Sequence, residues 1–169
     1  MQYMTPADLA AFFDATLPRV YAYFARRSDS RATAEDLTQE TYVAAAAAIK
    51  KGTQVLEPDH WIFGLARHRL IDHFRSLDRE QRKLQMAWRA GERADQEMES
   101  VELTSDRVHR ALASLLAIHR LVLTLRYLDG LSTSEIADQI GRSVHATESL
   151  LSRGRDGFRR AYVEDSYDS

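Results

Sequence analysis

Leu131-Ser132-Thr133-Ser134-Glu135-Ile136-Ala137-Asp138-Gln139-Ile140-Gly141-Arg142-Ser143-Val144-His145-Ala146-Thr147-Glu148-Ser149-Leu150-Leu151-Ser152-Arg153 is the stretch whose reading decides the fold. Ser132 and Glu135 have the spacing of a capping box. The hydroxyl accepts from the backbone N–H three residues on, and the carboxylate answers the N–H of the cap itself. Ile136, Ala137 and Ile140 supply a buried face, with Ala137 small where two helix axes cross closely. Gly141 suits the left-handed backbone that ends a helix, and Ser143 caps the next one. In that second helix Thr147, Leu151, Gly154 and Phe158 recur on an inner face. His145, Glu148, Ser149, Ser152, Arg153 and Arg155 are left for the outer one. Two short helices about a tight turn, the second presenting its first turns to base edges, form a helix-turn-helix. Arg153, Arg155, Arg159 and Arg160 would neutralise phosphates. An ordinary helical hairpin with a solvated arginine face shares some of these features. The ordered set of cap, small residue, Gly turn, second cap and trailing arginines favours a DNA reader.

The rest of the chain must say what kind of DNA reader this is. At 169 residues it holds one domain or two small ones. Hydrophobic residues at 44% give enough material for real cores, and charged residues at 28% favour a soluble fold. Only 7 glycines and 3 prolines, with Ala, Leu, Arg and Glu abundant and no period-two alternation, point to an all-α chain. The absence of cysteine excludes disulfides, Cys-ligated zinc and Cys nucleophiles, and fits a reducing compartment. No apolar run approaches a membrane span and no signal segment opens the chain, so the expected location is cytoplasmic, without membrane insertion. A net charge of −2 hides segregation. Residues 91–106 carry Glu92, Asp95, Glu97, Glu99, Glu102 and Asp106 against Arg93 alone, between two basic flanks. Such a chain suits both DNA and a protein partner.

Working outward, the expected organisation is a helical domain over 1–90, an acidic linker over 91–104, and a second helical domain over 105–169. A first helix runs from Pro6 to about Arg27 on a stripe of Leu9, Phe12, Phe13, Leu17, Val20, Tyr21 and Phe24, with Pro18 predicting a kink or two shorter helices. Thr33 to Asp36 resembles a capping box and opens a second helix. Its Asp36, Gln39, Glu40 and Val43 form an acidic-amide face suited to a basic protein surface. Capping alone accounts for Asp36, and a merely solvated face accounts for the others. A loop over 50–60 leads to a third helix, capped by Asp59 and running from Trp61 to about Ala90. There Arg67, Arg75 and Arg79 follow one broad arc, with Trp61, Phe63, His68 and His73 interleaved. Basic residues among aromatics can track a phosphate backbone and stack unpaired bases. Core packing is the competing reading, above all for Trp61.

These segments together resemble the bacterial extracytoplasmic-function (ECF, group IV) sigma factors, the two-domain initiation subunits of RNA polymerase. Ala34 to Tyr42 is similar to the polymerase-docking part of that family's region 2, Trp61 to Arg75 to the part that holds the minus-ten element, and Leu131 to Phe158 to its region 4. The resemblance implies that Asp36, Leu37, Gln39 and Glu40 dock on the β′ clamp helices of core RNA polymerase, whose β subunit is a further partner. It implies minus-ten promoter contacts from Trp61, Arg67, His68, Arg75 and Arg79, with the loop over 50–60 pocketing a flipped base. It implies minus-thirty-five contacts from His145, Glu148, Ser149, Ser152, Arg153 and Arg155. The acidic linker would thread toward the RNA exit path. Such a protein is no enzyme, needs no metal or cofactor, and answers to a separate anti-sigma factor. His68 departs from the family's usual Asn, and Thr147, Glu148 and Leu150 from Val, Lys and Arg, which predicts an unusual minus-thirty-five preference. Two alternatives stand beside this reading. One is a helix-turn-helix regulator acting without polymerase docking, the other a protein-binding adaptor with no DNA role. Salt dependence separates the last, because phosphate binding weakens steeply with ionic strength.

Overall fold

A computed structural model describes residues 4–89 and 107–167, and within them the chain is all helix. The helices are α1 (Pro6–Ala25), α2 (Arg31–Lys50), α3 (Pro58–Arg89), α4 (Arg107–Ala113), α5 (Ala117–Tyr127), α6 (Thr133–Ile140) and α7 (Val144–Glu164). By spatial proximity the chain divides between Leu70 and Ile71, inside α3, into two units. The acidic linker expected over 91–104 lies outside the described residues.

In the first unit, Thr5 caps α1. Its hydroxyl accepts from Asp8 N at 3.2 Å, and the Asp8 carboxylate accepts from Thr5 N at 3.0 Å. The Thr5 hydroxyl also donates to that carboxylate at 2.6 Å, and this bond first, then the one from Thr5 N, holds the Asp8 carboxyl below its ordinary value. Pro18 does not divide the helix: α1 is continuous through it. Pro18 is exposed, so water can answer the carbonyl whose bond it removes. The cap of α2 is Ser30 rather than Thr33. Ser30 Oγ accepts from Thr33 N at 3.1 Å and donates to Thr33 Oγ1 at 2.9 Å, which moves the helix start to Arg31. Asp36 therefore lies in the body of α2 and has no capping duty. Pro58 opens α3 with its φ already helical. Asp59, expected as its cap, instead pairs with Arg19 at 3.1 Å. Val20 and Phe24 of α1, Ala34, Leu37 and Ala45 of α2, and Ile62, Ala66 and Leu70 of α3 form the buried apolar core of this unit. Each large apolar side chain so buried contributes roughly 1.5–3 kcal/mol.

In the second unit α5 is the central helix, with Leu121, Val122 and Leu125 fully buried. Helix α7 packs against α4, α5 and α6. Gly154 permits the crossing with α5, since a Cβ there would lie 3.2 Å from Leu123 Cγ and 3.4 Å from the His119 carbonyl oxygen. The capping box at Ser132 forms in both directions, with Ser132 N donating to Glu135 at 2.7 Å and Glu135 N to Ser132 Oγ at 3.2 Å. Gly141 takes the left-handed conformation at φ 68°, ψ 38°, and Ser143 caps α7 through Ala146 N at 3.1 Å. The far end of α7 is fastened to α4. The Arg107 guanidinium stacks on the Tyr162 ring at 3.9 Å and donates to the Tyr162 carbonyl, while Arg110 donates to Asp165 at 2.6 Å. That hydrogen bond from Arg110 holds the Asp165 carboxyl below its ordinary value.

Candidate nucleic-acid interface

Three exposed faces carry the residues singled out from the sequence. On α3, Trp61, His68, Arg75 and Arg79 recur at helical spacing along one side, with the last three exposed and Trp61 half-buried. Arg67 is not part of that line. At 100° per residue it lies well round the helix, and its side chain is half-buried. The arc expected through Arg67, Arg75 and Arg79 thus narrows to a stripe in which one aromatic is followed by three groups able to meet phosphates or base edges.

On α7, His145, Glu148, Ser152 and Arg153 are exposed, and Ser149 is half-buried beside them. Thr147, at 0% exposure, donates its hydroxyl back to the Ser143 carbonyl at 2.9 Å. Leu150, at 8% exposure, points into the unit, so its place in the sequence is a packing position and not a lost phosphate contact. The departures at Thr147 and Leu150 therefore concern the core, and Glu148 alone carries an altered surface. Arg155 lies on the flank of α7, half-buried in a groove with Val108, Leu112, Tyr127, Leu128 and Phe158. Sequence reasoning passed over Asp156, which falls mid-face between Ser152 and Arg160 and holds Arg159 at 3.5 Å.

On α2, Asp36, Gln39, Glu40 and Val43 are exposed on one side, while Leu37 at 4% exposure is core. Leu37 supports this face from beneath. Asp36, Gln39, Glu40 and Val43 border a shallow depression completed by Ala44, Ala47 and, from α3, Arg69. No periodicity within α2 signals Arg69, because it comes from another helix.

The half-buried His119 of α5 is pushed below the ordinary histidine value, first by burial and then by Arg153, while Asp78 pulls the other way. The unfolded imidazole takes its proton near pH 6.5 and the folded one only at lower pH, so acid favours unfolding. Stability is expected to be level above about pH 6.5 and to fall between that value and the lower folded one. Thermal melts across pH 5–8 check this. The slope should flatten in His119→Gln, and an equal slope in that variant would count against the assignment.

Comparison with known proteins places these faces in a family. Residues 12–80 match the model of Sigma-70 region 2, and residues 105–156 that of Sigma-70, region 4. The ECF RNA polymerase sigma factor SigC of Mycobacterium tuberculosis is 33% identical over 88% of this chain and 80% of its own length. The chain belongs to the ECF RNA polymerase sigma factors. A second similar sigma factor, BldN of Streptomyces coelicolor, is 32% identical over 91% of this chain, which spans 60% of that protein's length. The fold is that of the sigma factor RpoE solved in complex with the anti-sigma factor NepR from Bartonella quintana. That likeness has a TM-score of 0.55 at 24% identity and covers 91% of this chain and 96% of the other. Membership carries function at the family's level: an alternative sigma factor, a transcription-initiation factor that works with RNA polymerase on promoter DNA. Both family models span the faces described above, region 2 covering those on α2 and α3 and region 4 most of α7. No described helix is long and apolar enough to cross a membrane.

Proposed function

We propose that this sigma factor docks on the β′ clamp helices of core polymerase through Asp36, Gln39 and Glu40, with Leu37 holding the face in place and Arg69 at its edge. Trp61, His68, Arg75 and Arg79 hold the opened minus-ten strand, with Arg67 contributing from the flank. His145, Glu148, Ser149, Ser152 and Arg153 read the minus-thirty-five element, with Arg155 at the groove edge. The functional divisions are residues 1–90, 91–104 and 105–169. Bases captured single-stranded offset the few kcal/mol that unstacking costs, so melting is driven by binding and the protein needs no catalytic site of its own. The working compartment is the cytoplasm, and control comes from an anti-sigma factor that covers the docking or reading faces.

The observation that carries this reading is the α2 face. Asp36, Gln39 and Glu40 are exposed together with no capping role, in a segment where nothing in the fold requires them. A regulator working without polymerase has no use for it. The test mixes the full chain with core RNA polymerase and asks for co-purification and promoter-dependent transcripts. Failure to bind core with no inhibitor present overturns the proposal.

Glu148 supplies a sharper expectation. An exposed carboxylate on the second turn of α7 accepts from a cytosine amino group in the major groove, a contact worth about 1–3 kcal/mol of discrimination. Glu148→Ala is expected to relax the preferred minus-thirty-five sequence at one position by about tenfold. Selection from a randomised promoter library measures this, and an unchanged preference counts against it.

A further inference from the structure

We infer that the second unit holds a binding site for a small aryl carboxylic acid with one further polar atom, in the groove enclosed by α4, α5 and α7. The site lies wholly within that unit and does not rest on the promoter reading above. Val108 and Leu112 of α4, Tyr127 and Leu128 of α5, and Phe158 of α7 line a cavity of about 360 Å³. Val108, Tyr127 and Leu128 remain exposed around it. That volume lies near the lower end of the range of about 300–1,000 Å³ typical of small-molecule sites. A helix, about 10–12 Å across with its side chains, is too wide to enter it.

Two polar groups of the lining define the ligand's chemistry. Thr124 of α5, 2% exposed, has no hydrogen-bond partner for its hydroxyl. Thr16, Thr38, Thr41 and Thr147, also buried in their helices, each donate to the carbonyl four residues back at 2.6–2.9 Å. Thr124 forgoes that bond while lining the cavity, and a buried polar group without a partner is costly. Packing alone would be better served by valine, which has nearly the same shape and no hydroxyl.

Arg155 supplies the charge. Its side chain is half-buried on the wall of the same groove, and no carboxylate pairs with it among the described residues. Arg159, also on the wall, lies 3.5 Å from Asp156 and is already partly neutralised. A long arginine stem can lie along apolar surface with its head in water, which accounts for Arg155 taken alone. It does not account for Thr124 in the same cavity. An anion that is apolar over most of its body answers both. Its carboxylate accepts from the Arg155 guanidinium, its ring lies among Tyr127, Phe158 and the leucines, and its second polar atom meets the Thr124 hydroxyl.

Calorimetric titration of the full chain with three related compounds tests the site. They are para-hydroxyphenylacetate, phenylacetate, which lacks the ring hydroxyl, and para-hydroxyphenylethanol, which lacks the charge. The first is expected to bind about tenfold more tightly than the alcohol and about fivefold more tightly than phenylacetate. Arg155→Gln should abolish the preference for acid over alcohol and keep the preference for the ring hydroxyl. Thr124→Val should do the reverse, and circular dichroism confirms that each variant remains folded. The parent chain alone can overturn the site. No binding at millimolar concentration does so, as does equal affinity for all three compounds, the behaviour of a merely apolar slot for a partner's side chain. Preferences that persist in the folded variants overturn the roles given to Arg155 and Thr124.

Discussion

Asp36→Arg together with Glu40→Arg is expected to remove core polymerase binding almost completely. The two carboxylates are exposed one helical turn apart, with Gln39 between them. Against a basic partner each accepts charge-assisted hydrogen bonds, and truncating one side of such a buried pair costs about 2–5 kcal/mol. Reversal adds like-charge repulsion to that loss, so binding should weaken by at least about a hundredfold. The fold should be spared. Surface changes away from caps and cores usually stay within about 0.5 kcal/mol, and the cap of α2 is Ser30, three residues before the helix reaches Thr33. Holoenzyme assembly on a sizing column, run beside a thermal melt, separates loss of docking from loss of fold. Parent-like assembly by a folded double variant would end the assignment of this face.

Gly154→Leu is expected to destabilise the helix-turn-helix unit by about 2–3 kcal/mol and to abolish dependence on the minus-thirty-five element. Two effects compete at this position. Glycine inside a helix costs about 1 kcal/mol relative to alanine, which favours any replacement. Against that stands the close approach of α5, where a new Cβ meets Leu123 Cγ at 3.2 Å and a backbone oxygen at 3.4 Å. For Gly154→Ala the two nearly cancel, because the Leu123 side chain can yield a few tenths of an ångström. Leucine adds three more carbons to a gap that is already closed, and the His119 carbonyl cannot retreat without bending α5. Urea unfolding of both variants measures the difference, and equal stability would show that the crossing tolerates expansion.

What the sequence disclosed depended on how local each signal was. Ser132, Glu135, Gly141 and Ser143 act on backbone groups within three residues of themselves, so spacing alone located both helices of the reading motif. The start of α2 was harder for the same reason. Ser30 and Thr33 are both hydroxyl residues at cap-like spacing, and only the observed bond from Thr33 N to Ser30 chooses between them. The departure at Leu150 was counted toward promoter preference, although the residue is buried, because the angular boundary of a helix face depends on which neighbours pack against it. Arg69 and Gln81 carried no readable signal, whereas Asp156 was legible at four residues from both Ser152 and Arg160. Arg69 and Gln81 owe their places to partners that pattern along one helix does not disclose, as Gln81 does to a helix that begins thirty-six positions later.

A single α-helix, α3, thus contributes its first turns to one unit and its last to the other. That sharing has a consequence for how such chains exchange parts. A recombinant in which the reading module is replaced from Arg107 onward would inherit Phe74, Asp78 and Gln81 from one parent and from the other their partners: Arg120, 5.4 Å from the Phe74 ring centre, Arg142, 3.9 Å from Asp78, and Ala117, whose N–H donates to Gln81. A crossover placed just before Ile71 transfers these residues and their partners as one heritable block. The natural seam for shuffling is therefore the middle of a helix.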